Sequence, residues 1–213
     1  TPQLGGRVHV LNLTTHNLTT QTLILACTVV FPFLSQTTLT AAEYTYENGG
    51  TVIDQYLSGT YSDPAGAELK FTGWKELNGE VILSGEGSKV WDSSGGIGGS
   101  GKIRIQDSGS AIFNRSINNS VQGISIEGTG DVTFNGAVAA KEISISGDGT
   151  TLFSTTSNLN AGGIQTLNVS GSGITIIESS GRITLANISI TEGGTLVLAS
   201  ESGALATSSI TVS

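Results

Sequence analysis

Few residues in this chain could do acid–base chemistry, and they fall at irregular intervals. Glu127, Asp131, Asp148 and Glu178, with Lys141 and Arg182 nearby, are what a polysaccharide-cleaving or -eliminating enzyme would need. Such chemistry requires carboxylates gathered with Arg, Lys or His on one face. These acids do not recur at one position of the repeat described below, and both histidines, His9 and His16, lie far upstream. They are expected to be solvated turn residues. The lone Cys27 excludes an intramolecular disulfide and a cysteine-based zinc site, and a small buried thiol is its expected role. Asn-x-Ser/Thr triplets begin at Asn12, Asn17, Asn114, Asn118, Asn168 and Asn187, as chance provides in a chain this rich in Ser and Thr, and no function is assigned to them.

Two glycine motifs invite ligand readings. Gly96-Ile97-Gly98-Gly99 has no helical pattern after it and no Gly-Lys-Ser/Thr, so a turn or loop is expected rather than a phosphate cradle. Gly147-Asp148-Gly149 and Gly130-Asp131 differ in spacing and period from calcium-binding Gly/Asp repeats, so calcium is not expected. No catalytic, cofactor-binding or metal-binding residue is predicted, and no cofactor. With a net charge of −8 the chain lacks the basic footprint of a nucleic-acid partner.

What must position these side chains is a repeat. Gly66, Gly87, Gly109, Gly130, Gly149, Gly173 and Gly194 stand 21, 22, 21, 19, 24 and 21 residues apart. Each is followed four or five places on by a large apolar residue: Phe71, Trp91, Phe113, Phe134, Phe153, Ile177 and Leu198. A period near 21 points to a solenoid with one coil per unit. Before most of these glycines runs a short apolar–polar alternation, as in Lys102-Ile103-Arg104-Ile105 and Glu142-Ile143-Ser144-Ile145, the pattern of a strand with one buried face. Gly-x-Gly follows as a turn, then a second short strand such as Asp131-Val132-Thr133-Phe134. Such a unit cannot bury its apolar face alone. Stacked at ~4.8 Å per coil it would set ring above ring, and Asn114 above Asn135. The expected fold is all-β, a parallel β-helix with coils of about 21 residues. The competing architecture is an antiparallel sandwich with evenly spaced turns. The Ser62-Asp63-Pro64-Ala65-Gly66 turn is expected to use Pro to set φ and Asp63 to bond the local backbone. Ser93 to Gly101 is expected to be the most flexible connection.

Residues 1–42 differ in kind. They contain no acid, so all 17 acidic residues follow Ala42. Leu23 to Leu34 is apolar throughout except Thr28 and Pro32. It is too short for a membrane span of ~20 residues but fits a secretory core, with Thr40-Ala41-Ala42 as small residues before a cut at Glu43. The expected organisation is 1–42 as a secretory leader or an irregular N-terminal cap and 43–213 as a β-helix fragment. Beginning at Thr1 and lacking Met, the chain is expected to come from a longer product.

Glu192-Gly193-Gly194-Thr195-Leu196-Val197-Leu198, then Gly203-Ala204-Leu205 and Ile210-Thr211-Val212, resembles the autotransporter-associated β-strand repeat. Ala206 and Ser208 stand where that family has glycines. The likeness covers about 20 residues well and the coils from Gly66 onward more loosely. Gly109-Ser110-Ala111-Ile112-Phe113 is similar to a repeat of polymorphic outer-membrane-protein passengers, but no Phe here has Asn three places on. The first resemblance implies a right-handed parallel β-helix, a passenger of a Gram-negative-type autotransporter, secreted to the cell surface by an outer-membrane barrel beyond this stretch. It implies a monomeric structural or adhesive stalk without catalysis, facing a receptor or glycan on a host or neighbouring cell. The alternatives are a carbohydrate-active β-helix enzyme, lyase or hydrolase, and a phage-type tailspike fragment.

Overall fold

The computed structural model describes residues 41–92, 94–154, 159, 166–178, 183–191, 193–199 and 205–213. The leader-or-cap segment, Cys27, His9, His16 and Arg182 lie outside them. Among the described residues there are strands and no helix, wound as a β-solenoid of about 7 turns of roughly 21 residues.

Among the described residues every strand pairing is parallel. The front sheet runs through Glu43–Thr45, Tyr56–Asp63, Lys75–Gly85, Lys102–Ile105, Gly123–Ile126, Glu142–Ile145, Thr166–Val169, Ile183–Ile190 and Leu205–Val212. The back sheet runs through Gly50–Val52, Glu68–Phe71, Ser88–Trp91, Ala111–Phe113, Val132–Phe134, Thr150–Phe153, Ile174–Ile177 and Thr195–Leu198. Each coil thus gives one strand to each sheet and passes its hydrogen bonds to the next coil, an arrangement that excludes the antiparallel sandwich. Burial alternates along the strands, as in Glu68–Phe71, Lys102–Ile105 and Glu142–Ile145, so the residues facing inward are those the apolar–polar alternation marks.

The register sets Phe71 against Trp91, then Phe113, Phe134, Phe153, Ile177 and Leu198 in successive coils. The rings stack with centroids 4.1, 5.4, 4.9 and 4.9 Å apart and are fully buried. Ile177 extends the buried column, but Leu198 is 44% exposed. Leu198 belongs to the last strand of the back sheet, so no described strand covers it from beyond. The Asn ladder is present, with Asn135 Nδ2 donating to Asn114 Oδ1 at 2.9 Å.

The Gly-rich connection is ordered by pairing rather than left as a loop. Ile97–Gly99 is a short strand along Lys75 to Leu77, and Ile97, Ile117 and Val138 then bridge coil to coil as a third inner column. Its glycines are needed for close approach. A side chain at Gly98 would run into the Trp74 ring, and one at Gly99 or Gly101 would run into the backbone of Leu77 or Gly79. Their density reads as flexibility in sequence, whereas in the fold each removes a collision.

Candidate functional site

The acids singled out in sequence do not come together. Asp131 and Asp148 are exposed at the turn between the sheets. Asp131 Oδ1 accepts from the Thr150 amide at 2.9 Å, and Asp148 Oδ1 accepts from the Ser172 hydroxyl at 2.7 Å. Both carboxylates therefore tie one coil to the next. Glu127 follows a front-sheet strand, where it accepts from Arg104 Nε at 3.0 Å, Gln106 Nε2 at 3.0 Å and Ser125 Oγ at 2.9 Å. Burial pushes the Glu127 carboxyl up, but these donors outweigh it and hold the group below the usual carboxylate range. Glu178 follows a back-sheet strand, at the far end of its coil from the Gly-x-Gly turn. Lys141 donates to Gln122 Oε1 at 3.1 Å. Among the described residues no group of three or more His, Cys, Asp or Glu is placed to hold a metal.

Two other charged groupings emerge from the register. The first is a notch of about 220 Å³ on the outer face of the front sheet. Glu80 and Lys102 are cross-strand neighbours on that face, and Lys102 pairs with Gly123 in the next coil. Gly123 has no side chain to fill its place, so a gap opens between Lys102 and Glu142, with Ser125 and Ser144 along its side. A Cβ at Gly123 would meet nothing closer than the Glu142 carbonyl, at 3.6 Å. The notch offers two carboxylates, an ammonium and two hydroxyls, all within reach of water, which suits hydrogen bonding to a polyhydroxylated ligand.

The second grouping lies inside the coil. Lys89, Asp63 and Asp107 are buried, with 0%, 3% and 1% of their surface exposed. Asp63 ends a front-sheet strand at an inward-facing position, so its carboxylate enters the core instead of bonding the turn backbone as expected. In the next coil Gly85 pairs with Asp63, and one coil further the same place is taken by Asp107. From the middle coil, Lys89 reaches between the two carboxylates from the back sheet. Its Nζ contacts Asp63 Oδ1 and lies 2.7 Å from Asp107 Oδ1. The ammonium also donates to the Gly87 carbonyl at 3.3 Å. Among the described residues, no donor other than this ammonium reaches the four carboxylate oxygens. Lys89 itself stands between Leu69 and Ala111 in the inner column of the back sheet.

Sequence reasoning missed this cluster, although two signals mark it. Asp107 occupies the place that Gly85, Gly128 and Gly147 hold in other coils, and Lys89 occupies the place of Leu69, Ala111 and Val132. Comparison of the chain with family models, curated proteins and solved structures gives no match.

A second buried lysine is fully used. Lys75 begins the third inner column, paired with Ile97, and its Nζ donates to the carbonyls of Val52 at 2.9 Å and Asp54 at 2.6 Å. Burial lowers its pKa, partly offset by Asp54. The Val52 carbonyl also accepts from the Thr72 amide at 3.3 Å, so Lys75 adds a second donor there.

Burial pushes the Asp107 carboxyl up to about 6 from an ordinary 3.8, against the pull of the Lys89 ammonium, and the Asp63 charge adds to the rise. The folded protein thus holds this proton more tightly than the unfolded chain does. The resulting stability is fully present below about 3.8 and is lost as pH rises through about 6. Relative to an Asp107→Asn variant, which cannot ionise, the native chain should lose up to ~3 kcal/mol between pH 4 and pH 7. Denaturant midpoints of the two proteins across that range check it, and parallel pH profiles would contradict the assignment.

Proposed function

We propose that this chain is a structural and adhesive module of a secreted, autotransporter-type cell-surface protein, a stalk whose outer face displays the binding surface and which carries out no catalysis. The observation that carries this reading is the outer column of the front sheet. After Arg104, Ser125, Ser144, Asn168, Ser189 and Thr211 follow one another coil after coil, a ladder of short polar side chains suited to contact rather than turnover. The dispersal of Glu127, Asp131, Asp148 and Glu178 into separate contacts supports it too. The notch at Gly123 is the place on this face where a glycan of a host or neighbouring cell would seat. A membrane barrel elsewhere in the same protein and a leader in residues 1–42 complete the proposal.

One observation favours a second reading, a carbohydrate-active enzyme: Glu80, Lys102 and Glu142 line one notch. Yet Glu80 and Glu142 lie three strands apart, about 14 Å at ~4.8 Å per strand. Their backbones are thus further apart than the ~6.5–9.5 Å that separates the carboxyls of an inverting glycosidase. Incubation with acidic polysaccharides should release neither unsaturated nor reducing sugar. Turnover that disappears in Glu80→Gln or Glu142→Gln would establish the enzyme instead. Binding to immobilised glycans should fall at least about tenfold in Gly123→Gln, which fills the notch, while stability changes by less than ~0.5 kcal/mol. Undiminished glycan binding would remove the notch from the reading.

A further inference from the structure

We propose that the Lys89 side-chain nitrogen and the Asp63 carboxyl condense to an intramolecular amide inside the solenoid, with Asp107 as the positioned acid that carries the proton. The reactants are brought together by the fold. Lys89 projects inward from the back sheet, and Asp63 projects inward from the end of the front-sheet strand one coil earlier. Their charged ends are in contact with no exposed surface on either side chain. Asp107 lies 2.7 Å from the same nitrogen, approaching from the following coil. Three further features favour reaction over a lasting ion pair.

First, the cluster is buried. Leu69 and Ala111 flank Lys89, both fully buried, so desolvation favours the neutral forms. Second, the two carboxylates share the Lys89 ammonium, and among the described residues no backbone amide or hydroxyl adds a hydrogen bond to stabilise them as anions. Condensation removes one ammonium and one carboxylate from that setting. Third, the Asp63 carboxyl is confined: a Cβ at Gly87 would overlap it, so only a glycine there lets it lie against the Lys89 nitrogen. Holding nucleophile and carbonyl in contact is the condition under which an amine and a carboxyl react without external activation.

The step balances without a co-reactant. Transfer of a proton within the pair gives a neutral Lys89 amine and a neutral Asp63 carboxylic acid. Nζ attacks Asp63 Cγ to form the C–N bond. Asp107 takes the proton that Nζ sheds and delivers it to the departing hydroxyl, and the C–O bond breaks to release water. The sum is –NH₃⁺ plus –COO⁻ giving –CO–NH– plus H₂O, and Asp107 returns to its initial protonation state. The bond joins adjacent coils across the two sheets, so it would lock the N-terminal part of the solenoid against unwinding. Its existence does not depend on the adhesive reading of the outer face.

The test is the intact mass of the full, folded chain. It should be lighter than the sequence mass by one water. Proteolysis should yield a branched peptide joining the segment that holds Lys89 to the segment that holds Asp63, with no tryptic cut after Lys89. Asp107→Asn should remain largely at the unreacted mass, and Lys89→Met, which retains the volume of the stem, should remain there entirely. A wild-type mass equal to the sequence mass after prolonged incubation of the folded chain would overturn the proposal, whatever the variants do. So would a branch point at any other carboxyl, or loss of water that persists in Lys89→Met.

Discussion

Replacing Phe134 by alanine should cost ~3–5 kcal/mol of stability, the usual range for removing a buried ring that its surroundings cannot close over. The ring is fully buried and sits 4.9 Å from Phe113 on one side and 4.9 Å from Phe153 on the other. Its neighbours are held in place by their own backbone ladders, since Phe113, Phe134 and Phe153 are in register on three successive strands. The cavity therefore cannot collapse without breaking that register, and the loss belongs at the upper part of the range. Asp131→Ala, three residues earlier, removes only the exposed bond to the Thr150 amide and should cost ~0.5–1 kcal/mol. Denaturant midpoints of the two variants distinguish the contributions. Equal shifts would mean that Phe134 is outside the inner column.

Measured against a native chain in which Lys89 and Asp63 have not yet condensed, truncating Lys89 to alanine should have a comparable effect for a different reason. Removal of the ammonium leaves Asp63 and Asp107 buried, close to one another and without a counter-charge, which costs ~3–5 kcal/mol for a broken buried pair. The whole cluster, by contrast, should be dispensable. Lys89→Leu combined with Asp63→Gly and Asp107→Gly installs residue types that other coils already carry at these places: Leu69 in the inner column, and Gly85 and Gly128 at the turn. That triple variant should recover to within ~1–2 kcal/mol of the native chain, because apolar replacement of a buried ion cluster is often neutral. If Lys89→Ala unfolds at the native midpoint, the three groups do not depend on one another. If the triple variant is no better than Lys89→Ala, the cost lies in lost packing volume rather than in stranded charge.

The fold was legible from the sequence because a solenoid writes the same physical demand once per coil. Each coil needs an inward-facing ring and a turn that admits close backbone approach. Phe71, Trp91, Phe113, Phe134 and Phe153 therefore recur beside their glycines. At Gly109 and Gly130 a Cβ would overlap the backbone of the neighbouring coil, which explains why glycine returns there. The Asn114–Asn135 bond was legible for the same reason. What breaks the repeat was harder to read. Asp63 reads in sequence as a turn residue bonding its local backbone, and Asp107 draws no separate reading. Their burial depends on Lys89 from the other sheet, a coupling between separate columns that no single column displays. The short third side at Ile97–Gly99 was obscured because its glycines serve the packing of Trp74 and Leu77 rather than a turn. The notch at Gly123 was equally hidden, since it is formed by what one strand lacks between the side chains of its neighbours.

The coil-by-coil winding can be measured directly along the outer front-sheet column. Ile82 pairs with Arg104, and the column continues through Ser125, Ser144, Asn168 and Ser189 to Thr211. Spin labels at Ile82 and at Ser144, Ser189 or Thr211 are separated by three, five or six coils. At ~4.8 Å per coil, pulsed electron resonance should give backbone separations of about 14, 24 and 29 Å, rising in step with coil number. Distances that fail to rise with coil number, such as an Ile82–Thr211 pair closer than Ile82–Ser144, would contradict the solenoid and every assignment built upon it.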